Sequence, residues 1–148
     1  MLNKKHILLQ MILVIIFLVL LTSCAVNETV ISEKDTFLYV VNDQSLLSHI
    51  ENDERFVYYY CCVSITNNYD DNYSVQLIGD FQEEYDAGII LSATSIATEN
   101  GNQTIELPAN STKTVDIVFK CELNSNYKES ELKLNRSLPS IKISGEQT

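Results

Sequence analysis

The chain has 148 residues, with 20 acidic and 10 basic side chains and a formal net charge of −10. Such an acidic balance argues against nucleic acid as a partner and against a domain that lies flat on anionic lipid, because both attract basic patches. A chain of this length provides one domain with a sizeable hydrophobic core.

The first 23 residues have the organisation of a secretory signal. Lys4 and Lys5 come first, an apolar run over 7–21 follows, and two small residues end the segment. A positive start, an apolar centre and a small-residue exit are typical of a signal peptide. As a helix the run reaches about 22 Å, short of the roughly 30 Å hydrocarbon core of a bilayer. The sequence therefore predicts a signal peptide over 1–23.

A cysteine follows this segment directly, in the tetrapeptide Leu21-Thr22-Ser23-Cys24. The tetrapeptide resembles the lipobox of bacterial lipoproteins: an aliphatic residue, two small residues and cysteine. The resemblance implies that Cys24 receives a diacylglycerol and becomes the first residue of a protein anchored on the extracytoplasmic face of the cell membrane. Two acyl chains on one residue suffice for stable anchoring. An ordinary secretory signal with a chance cysteine, or an uncleaved helix, are the alternatives.

The segment after Cys24 divides into a tether and the start of a domain. Residues 24–35 are polar and show no hydrophobic period, so we interpret them as a tether. Residues 36–41 are rich in β-branched and aromatic side chains, which predicts a first strand. Residues 42–52 predict one short helix that Ser45 caps. Its apolar residues at one-turn spacing are Leu46, Leu47 and Ile50.

The strongest strand signal lies over 56–66. Side chains alternate between the two faces of a strand, and here one alternating set is apolar to its end. We expect this set to face the core: Val57, Tyr59, Cys61, Val63 and Ile65. The opposite set begins with three aromatic residues, Phe56, Tyr58 and Tyr60.

The remaining strands are short and are separated by polar turns. They are predicted over 73–81, 89–97, 103–107, 114–121 and 138–143. Asn100-Gly101 predicts a type I′ hairpin turn, because both central residues of that turn need positive φ. Residues 82–88 read as an acidic loop, and Pro139 suits an edge strand.

Seven short strands with no alternation of strand and helix predict an all-β domain over 36–148, an antiparallel β-sandwich. The turn that begins at Asn67, the segment 107–111 and the strand after it resemble small immunoglobulin-like domains of Gram-positive lipoproteins. The chain has no Trp, and no Tyr stands two residues before Cys121. It therefore departs from antibody-type domains, and the resemblance implies the architecture alone.

Three cysteines remain after Cys24. Alternation places Cys61 and Cys121 inward on different strands, which suggests an inter-sheet disulfide that closes a loop of about 60 residues and stabilises the domain by roughly 4 kcal/mol. Buried reduced thiols, which behave as small hydrophobic groups, are the alternative. Cys62 is left over in either case.

The sequence carries no catalytic, phosphate-binding or metal-binding signature. His49 is the one histidine after residue 23, and a cysteine nucleophile normally needs a histidine base. Two acidic clusters offer oxygen atoms of the kind that Ca²⁺ prefers, but solvated loop charges are the simpler interpretation, and we predict no metal or cofactor. The clusters are Asp70 with Asp71, and Asp80, Glu83, Glu84 and Asp86.

These observations predict a lipid-anchored, non-enzymatic module of the cell envelope that binds or scaffolds. The aromatic residues Phe56, Tyr58 and Tyr60 are its possible binding face, for an envelope protein or a glycan. Coverage of these residues by the tether or by the first strand is the alternative. A small envelope enzyme and a substrate-binding accessory of a transporter are the alternative functions.

Overall fold

The structure is a computed structural model that describes residues 30–31, 37–128, 132 and 136–148. The predicted signal peptide and the lipidation residue Cys24 lie outside these residues. Within them, no helix is both long and apolar enough to cross a bilayer.

The described residues form nine strands, one short α-helix and one turn of 3₁₀ helix. The strands are β1 (Val30–Ile31), β2 (Leu38–Val40), β3 (Leu46–Asn52), β4 (Phe56–Asn67), β5 (Tyr73–Asp80), β6 (Thr94–Thr98), β7 (Ile105–Leu107), β8 (Ser111–Glu122) and β9 (Ser140–Gln147). The α-helix, α1, is Gln82–Asp86, and the 3₁₀ turn is Asn42–Gln44. Every pairing between these strands is antiparallel, so the all-β prediction is confirmed.

The strands join into one sheet in the order β1-β9-β5-β6-β8-β4-β2, with β3 beside β4 and β7 beside β5. β4 pairs with β8 along its whole length, and β5 does the same with β9. The other edge of each long strand is shared by two short ones, β2 and β3 on β4, and β6 and β7 on β5. The prediction of about seven strands therefore missed two short ones, β1 and β3.

β6 is the strand that connects the two halves of the sheet. Residues 94–96 pair with β5, and Ala97 and Thr98 pair with β8. On the opposite side β2 contacts β9 without pairing to it. The sheet therefore curls until its two ends meet, and the result is nearly barrel-shaped.

The hydrophobic core fills the inside of this curled sheet. The inward set of β4 is buried as predicted, and so are Val115, Ile117, Phe119 and Cys121 of β8. The rings of Tyr59 and Phe81 lie 4.6 Å apart, and the Phe81 and Phe119 rings meet edge to face at 5.5 Å. Gly79 makes room for them, because a Cβ atom there would come within 2.7 Å of the Phe81 ring.

Asn67 fixes the end of β4 by joining two turns. Its side chain is fully buried, and Nδ2 donates hydrogen bonds to the carbonyls of Asp71 and Pro108 at 2.9 and 3.0 Å. Its Oδ1 accepts a hydrogen bond from the Tyr69 amide at 3.0 Å. The predicted turn after the strongest strand is therefore confirmed, and its first residue also holds the turn between β7 and β8.

The prediction of a helix over 42–52 is wrong, since most of that segment is the strand β3. The backbone of β3 pairs with β4, whose edge would otherwise be unpaired at this place, and that pairing outweighs a weak helical pattern. The capping role predicted for Ser45 is wrong as well, because no helix begins there. Its Oγ donates to the Val41 carbonyl at 2.8 Å and accepts from the Ser64 amide at 3.0 Å.

Several other boundaries differ from the predictions. The acidic segment predicted as a loop contains α1, the strand predicted over 89–97 begins at Thr94, and the last strand runs to Gln147 and lies between β5 and β1. Asn100 and Gly101 have φ of 51° and 85°, as the turn requires. The hairpin itself is limited to one bridge, Glu99 with Asn102, because β6 and β7 pair with other strands.

The strand β1 lies inside the segment 24–35 that was interpreted as a tether. Val30 pairs with Ser144, and Ile31 pairs with Ile143. The described strands therefore include one that starts at Val30, six residues after Cys24 and before the predicted start of the domain at residue 36.

Candidate binding face and buried arginine cluster

The sequence-predicted aromatic residues lie together on the outside of the sheet. Phe56, Tyr58 and Tyr60 alternate with the buried residues of β4 and are half-buried themselves. The register places further apolar residues of β3, β6 and β8 around them. We call this set the outer face: Leu46, Phe56, Tyr58, Tyr60, Cys62, Ile96, Val118 and Lys120. Leu46 and Ile96 are 53% and 39% exposed, while the other apolar members of the outer face are half-buried.

Side chains of the same protein cover the ring faces on the outer face. The Lys120 ammonium lies 3.7 Å from the centroid of the Phe56 ring, and the Arg55 guanidinium lies 5.0 Å from it. The His49 ring stacks on the Tyr60 ring at 4.3 Å, with 6° between their planes. The aromatic rings are therefore held in place by neighbours, which reduces the entropy that a partner would have to remove on binding.

Asp53 organises the turn at the start of β4. Its Oδ1 accepts hydrogen bonds from the amides of Arg55 and Phe56, each at 2.7 Å, and its Oδ2 accepts one from the Tyr58 hydroxyl at 2.9 Å. The backbone hydrogen bonds, followed by the one from Tyr58, lower the pKa of Asp53 below 3.8. The same bond to Asp53, together with desolvation, raises the pKa of Tyr58 above 10.0.

The structure does not bring Cys61 and Cys121 together, and both thiols are free. Cys121 lies opposite Val57 on the neighbouring strand, four residues along β4 from Cys61. Four residues of strand span about 13 Å, whereas bridged cysteines need Cα atoms within about 7 Å. The predicted disulfide is therefore not formed, because the two residues share one face of one sheet and lie at different levels of it.

The three thiols have no catalytic partner among the described residues. Burial raises the pKa of Cys61 and of Cys121 to about 12. Desolvation and the neighbouring Asp116 carboxylate also raise the pKa of Cys62 above 9.0. His49 stacks on Tyr60 on the outer face and lies 3.7 Å from Glu51. Since a nucleophilic cysteine needs a lowered pKa, this arrangement does not activate any of the three.

A second feature, inside the curled sheet, was not anticipated from the sequence. We call it the arginine cluster: Tyr59, Phe81, Glu84 and Arg136. The Arg136 guanidinium donates through Nη1 to Oε1 of Glu84 and lies over both rings, 5.6 Å from the Tyr59 centroid and 5.3 Å from that of Phe81. The side chains of Glu84 and Arg136 are only 6% and 15% exposed.

Two polar atoms of the arginine cluster are buried without a hydrogen-bond partner in the described part of the chain. They are the Tyr59 hydroxyl oxygen and Oε2 of Glu84. Burial, and secondarily the Glu84 carboxylate, raises the pKa of the Tyr59 hydroxyl well above its usual range, so it stays protonated. Because Arg136 lies in a polar stretch with no hydrophobic period, no pattern in the sequence indicated its burial.

The acidic residues in α1 and at the end of β5 make separate contacts rather than a shared one. Glu84 points inward to Arg136, whereas Asp80 accepts a hydrogen bond from the Gln82 amide at 3.0 Å and Asp86 accepts one from Gln82 Nε2 at 2.7 Å. Over the described ranges, no three histidine, cysteine or acidic side chains are grouped as metal ligands would be.

A cavity of about 420 Å³ lies where the two ends of the sheet meet. Its described lining comes from β2, from Asn42 and Ser45, and from residues 137–143. The lining residues are both apolar and polar, and no titratable side chain other than Tyr39 and Lys142 is found among them.

Comparisons with protein-family models, with curated proteins and with solved structures find no match to this chain. The residues and contacts of the chain itself are therefore the basis on which its function is inferred.

Proposed function

We propose that this protein is a lipid-anchored, non-enzymatic module on the extracytoplasmic face of the cell membrane, which binds a partner protein through the outer face. The observation that carries the binding role is the outer face itself: a row of positioned aromatic side chains on β4 with exposed aliphatic neighbours. Large exposed apolar patches rimmed by polar residues mark interaction sites. The lipid anchor is supported by the lipobox-like tetrapeptide that ends at Cys24.

The chemistry of the outer face favours a protein over a glycan. Sugar rings stack on free aromatic faces, but Lys120 and His49 already cover Phe56 and Tyr60. Tyrosine, phenylalanine and arginine are the residue types enriched at protein–protein interfaces, where they act as central anchors inside a polar rim. Here the rim consists of Glu51, Asp53, Arg55, Asp116 and Glu122, all exposed.

We also propose that the domain is a variant of the immunoglobulin-like sandwich. Support comes from the order β2-β4-β8-β6, in which the first, second, fifth and fourth strands of the larger pattern lie side by side if β1, β3 and β7 are counted as additions. This is the order of one sheet of an immunoglobulin domain. The other layer would consist of β5 and β9, joined to the first through β6.

The binding role is tested by removing two rings of the outer face from the full-length protein. The double variant Tyr58→Ala with Tyr60→Ala is compared with Tyr85→Ala, which removes an exposed ring of α1. After cross-linking in intact cells and purification from solubilised membranes, the wild type and Tyr85→Ala should retain the same cross-linked protein, and the double variant should lose it. Equal retention by all three would contradict the proposal. Loss of binding to isolated cell-wall glycan alone would instead favour the glycan alternative.

The anchor is tested separately with Cys24→Ser. We expect the variant to keep its signal peptide and to lack the acyl chains, which mass spectrometry of the purified protein measures. Normal maturation of Cys24→Ser, with retention in the membrane fraction, would contradict the lipid anchor and leave the binding test unaffected.

A further inference from the structure

The arginine cluster has the composition of a site for an organic cation. Two aromatic rings and one carboxylate surround a positively charged group, and all three side chains are buried. Cations are attracted to the faces of aromatic rings, more strongly when water is excluded, and cages of this kind recognise organic cations. In this structure the cation is the guanidinium of Arg136, which the same chain supplies.

The guanidinium of Arg136 leaves some hydrogen-bonding atoms of the site unused. It donates to Oε1 of Glu84, while its Nε donates to the Ser137 carbonyl at 3.2 Å. Oε2 of Glu84 and the Tyr59 hydroxyl have no partner in the described chain. A guanidinium can donate two parallel hydrogen bonds to one carboxylate, and this bidentate geometry is the strongest form of the contact. A free ligand can therefore make one more bond to Glu84 than Arg136 makes.

We propose that Tyr59, Phe81 and Glu84 form a binding site for an alkylguanidinium group, such as the arginine side chain of a peptide, which the chain's own Arg136 fills and for which an external guanidinium competes. The planar group would lie over the two rings as Arg136 does and would engage both oxygens of Glu84. Arg136 is the most exposed member of the cluster, so a ligand enters by the position that its side chain vacates.

The competition determines how strongly the wild-type protein binds. A ligand that needs a minor state of the protein binds more weakly in proportion to the population of that state. Removal of the Arg136 side chain makes the vacant state the only one, so the apparent affinity should rise. We expect the concentration of external guanidinium that half-fills the site to fall by about tenfold or more in such a variant.

The experiment measures the thermal unfolding of the full-length protein in detergent while N-ethylguanidinium chloride is added, with sodium chloride and ethylammonium chloride at equal ionic strength as references. Arg136→Ala vacates the site, and Arg55→Ala is the matched control, because that arginine pairs with Glu122 on the surface. The expected result is a saturable rise in Tm of Arg136→Ala with N-ethylguanidinium and a smaller rise with ethylammonium. In Arg55→Ala, where Arg136 still fills the site, a rise should require about tenfold or higher concentrations of N-ethylguanidinium.

A double variant, Arg136→Ala with Glu84→Gln, identifies the site. The amide keeps the shape of the carboxylate and removes its charge, so the rise in Tm should be lost. If Arg136→Ala is unfolded in buffer, the readout is recovery of its far-ultraviolet circular dichroism when the probe is added. Responses to N-ethylguanidinium that are the same in Arg136→Ala and Arg55→Ala, or no recovery of an unfolded variant, would overturn the proposal.

Discussion

The two faces of β4 carry similar side chains with opposite consequences. Tyr59 and Tyr60 are neighbours in the chain, but the first is fully buried against Phe81 whereas the second is half-exposed and stacks on His49. Within the described part of the chain the Tyr59 hydroxyl has no hydrogen-bond partner, while Tyr58 on the outer face donates to Asp53. The difference shows that position on the strand, and not residue type, decides whether an aromatic residue stabilises the fold or is available to a partner.

The largest effect should come from truncating the inner ring. Tyr59→Ala removes a buried aromatic side chain and leaves a cavity, so we expect the free energy of unfolding to fall by about 3–5 kcal/mol. Tyr60→Ala should lower it by about 1 kcal/mol, because that ring is half-exposed. Urea unfolding followed by circular dichroism measures both values. Equal losses would contradict the assignment of the two faces.

Filling the space next to the inner rings should have the next largest effect. In Gly79→Ala the new methyl group would come within 2.7 Å of Phe81 and 2.9 Å of Phe119. Overpacking of this kind costs about 1–3 kcal/mol. Gln76→Ala, on the outer side of the same strand, is the control and should change stability by at most about 0.5 kcal/mol. The same urea unfolding curves compare the two variants, and a tolerated Gly79→Ala would mean that the ring packing is looser than described.

The thiols distinguish the two faces chemically. Cys61 and Cys121 are buried with a pKa of about 12, while Cys62 on the outer face is half-buried with a smaller increase. A thiol reacts as the thiolate, so iodoacetamide should modify Cys62 first, and faster as the pH rises above 9.0 toward the raised pKa of this thiol. Mass spectrometry of timed digests measures the order, and early modification of either inner thiol would contradict the inward placement.

The number of thiols that can be alkylated after denaturation tests both the lipid anchor and the absence of a disulfide. Three alkylatable thiols are expected if Cys24 carries a thioether and no disulfide is present. Four would contradict lipidation, and one would mean that an inter-sheet bridge had formed after all.

The smallest effect should come from the hydrogen bond on the outer face. The pKa of Asp53 is lowered and that of Tyr58 is raised, so the ionised carboxylate and the protonated phenol are both favoured by folding. The stability that Asp53 contributes is present above pH 3.8 and is lost as the pH falls through the lowered pKa of the folded state. The stability that Tyr58 contributes is present below pH 10.0 and is lost as the pH rises through its raised pKa in the folded state. Tyr58→Phe should reduce the alkaline loss without abolishing it, because Cys61 and Cys121 also have raised pKa values; unfolding experiments across pH measure the reduction. An unchanged alkaline profile would contradict this assignment.

The sequence predicted the strands whose side chains alternate, because alternation is a local property of the chain. β4, β5 and β8 were located within a few residues, and the inward side of β4 and β8 was identified correctly. The end of β4 at Asn67 followed from turn-forming side chains. The existence and outward position of the aromatic residues on β4 were predictable for the same reason.

What the sequence could not provide was which strands are neighbours and at what register. The prediction of a Cys61–Cys121 disulfide was wrong for that reason. Alternation indicates which face a residue lies on, but it does not indicate which residue of the neighbouring strand lies opposite. The helix predicted over 42–52 was wrong because the spacing of Leu46, Leu47 and Ile50 fits a helix, whereas pairing with β4, which the sequence does not reveal, makes the segment a strand. The Glu84–Arg136 contact joins residues 52 positions apart, and no local pattern reports such a meeting.

The early start of β1 has a consequence for geometry outside the domain. If Cys24 carries the lipid, the six peptide units that lead to Val30 can extend no farther than about 20 Å. Because β1 runs antiparallel to β9, the chain enters the domain from the end where Asn67 and Gln147 lie, and Phe56 is at the opposite end of the 12-residue strand β4. The domain would then lie close to the lipid headgroups, because the connection to the lipid is short. The Phe56 ring would lie farther from the membrane by roughly the length of β4, about 40 Å.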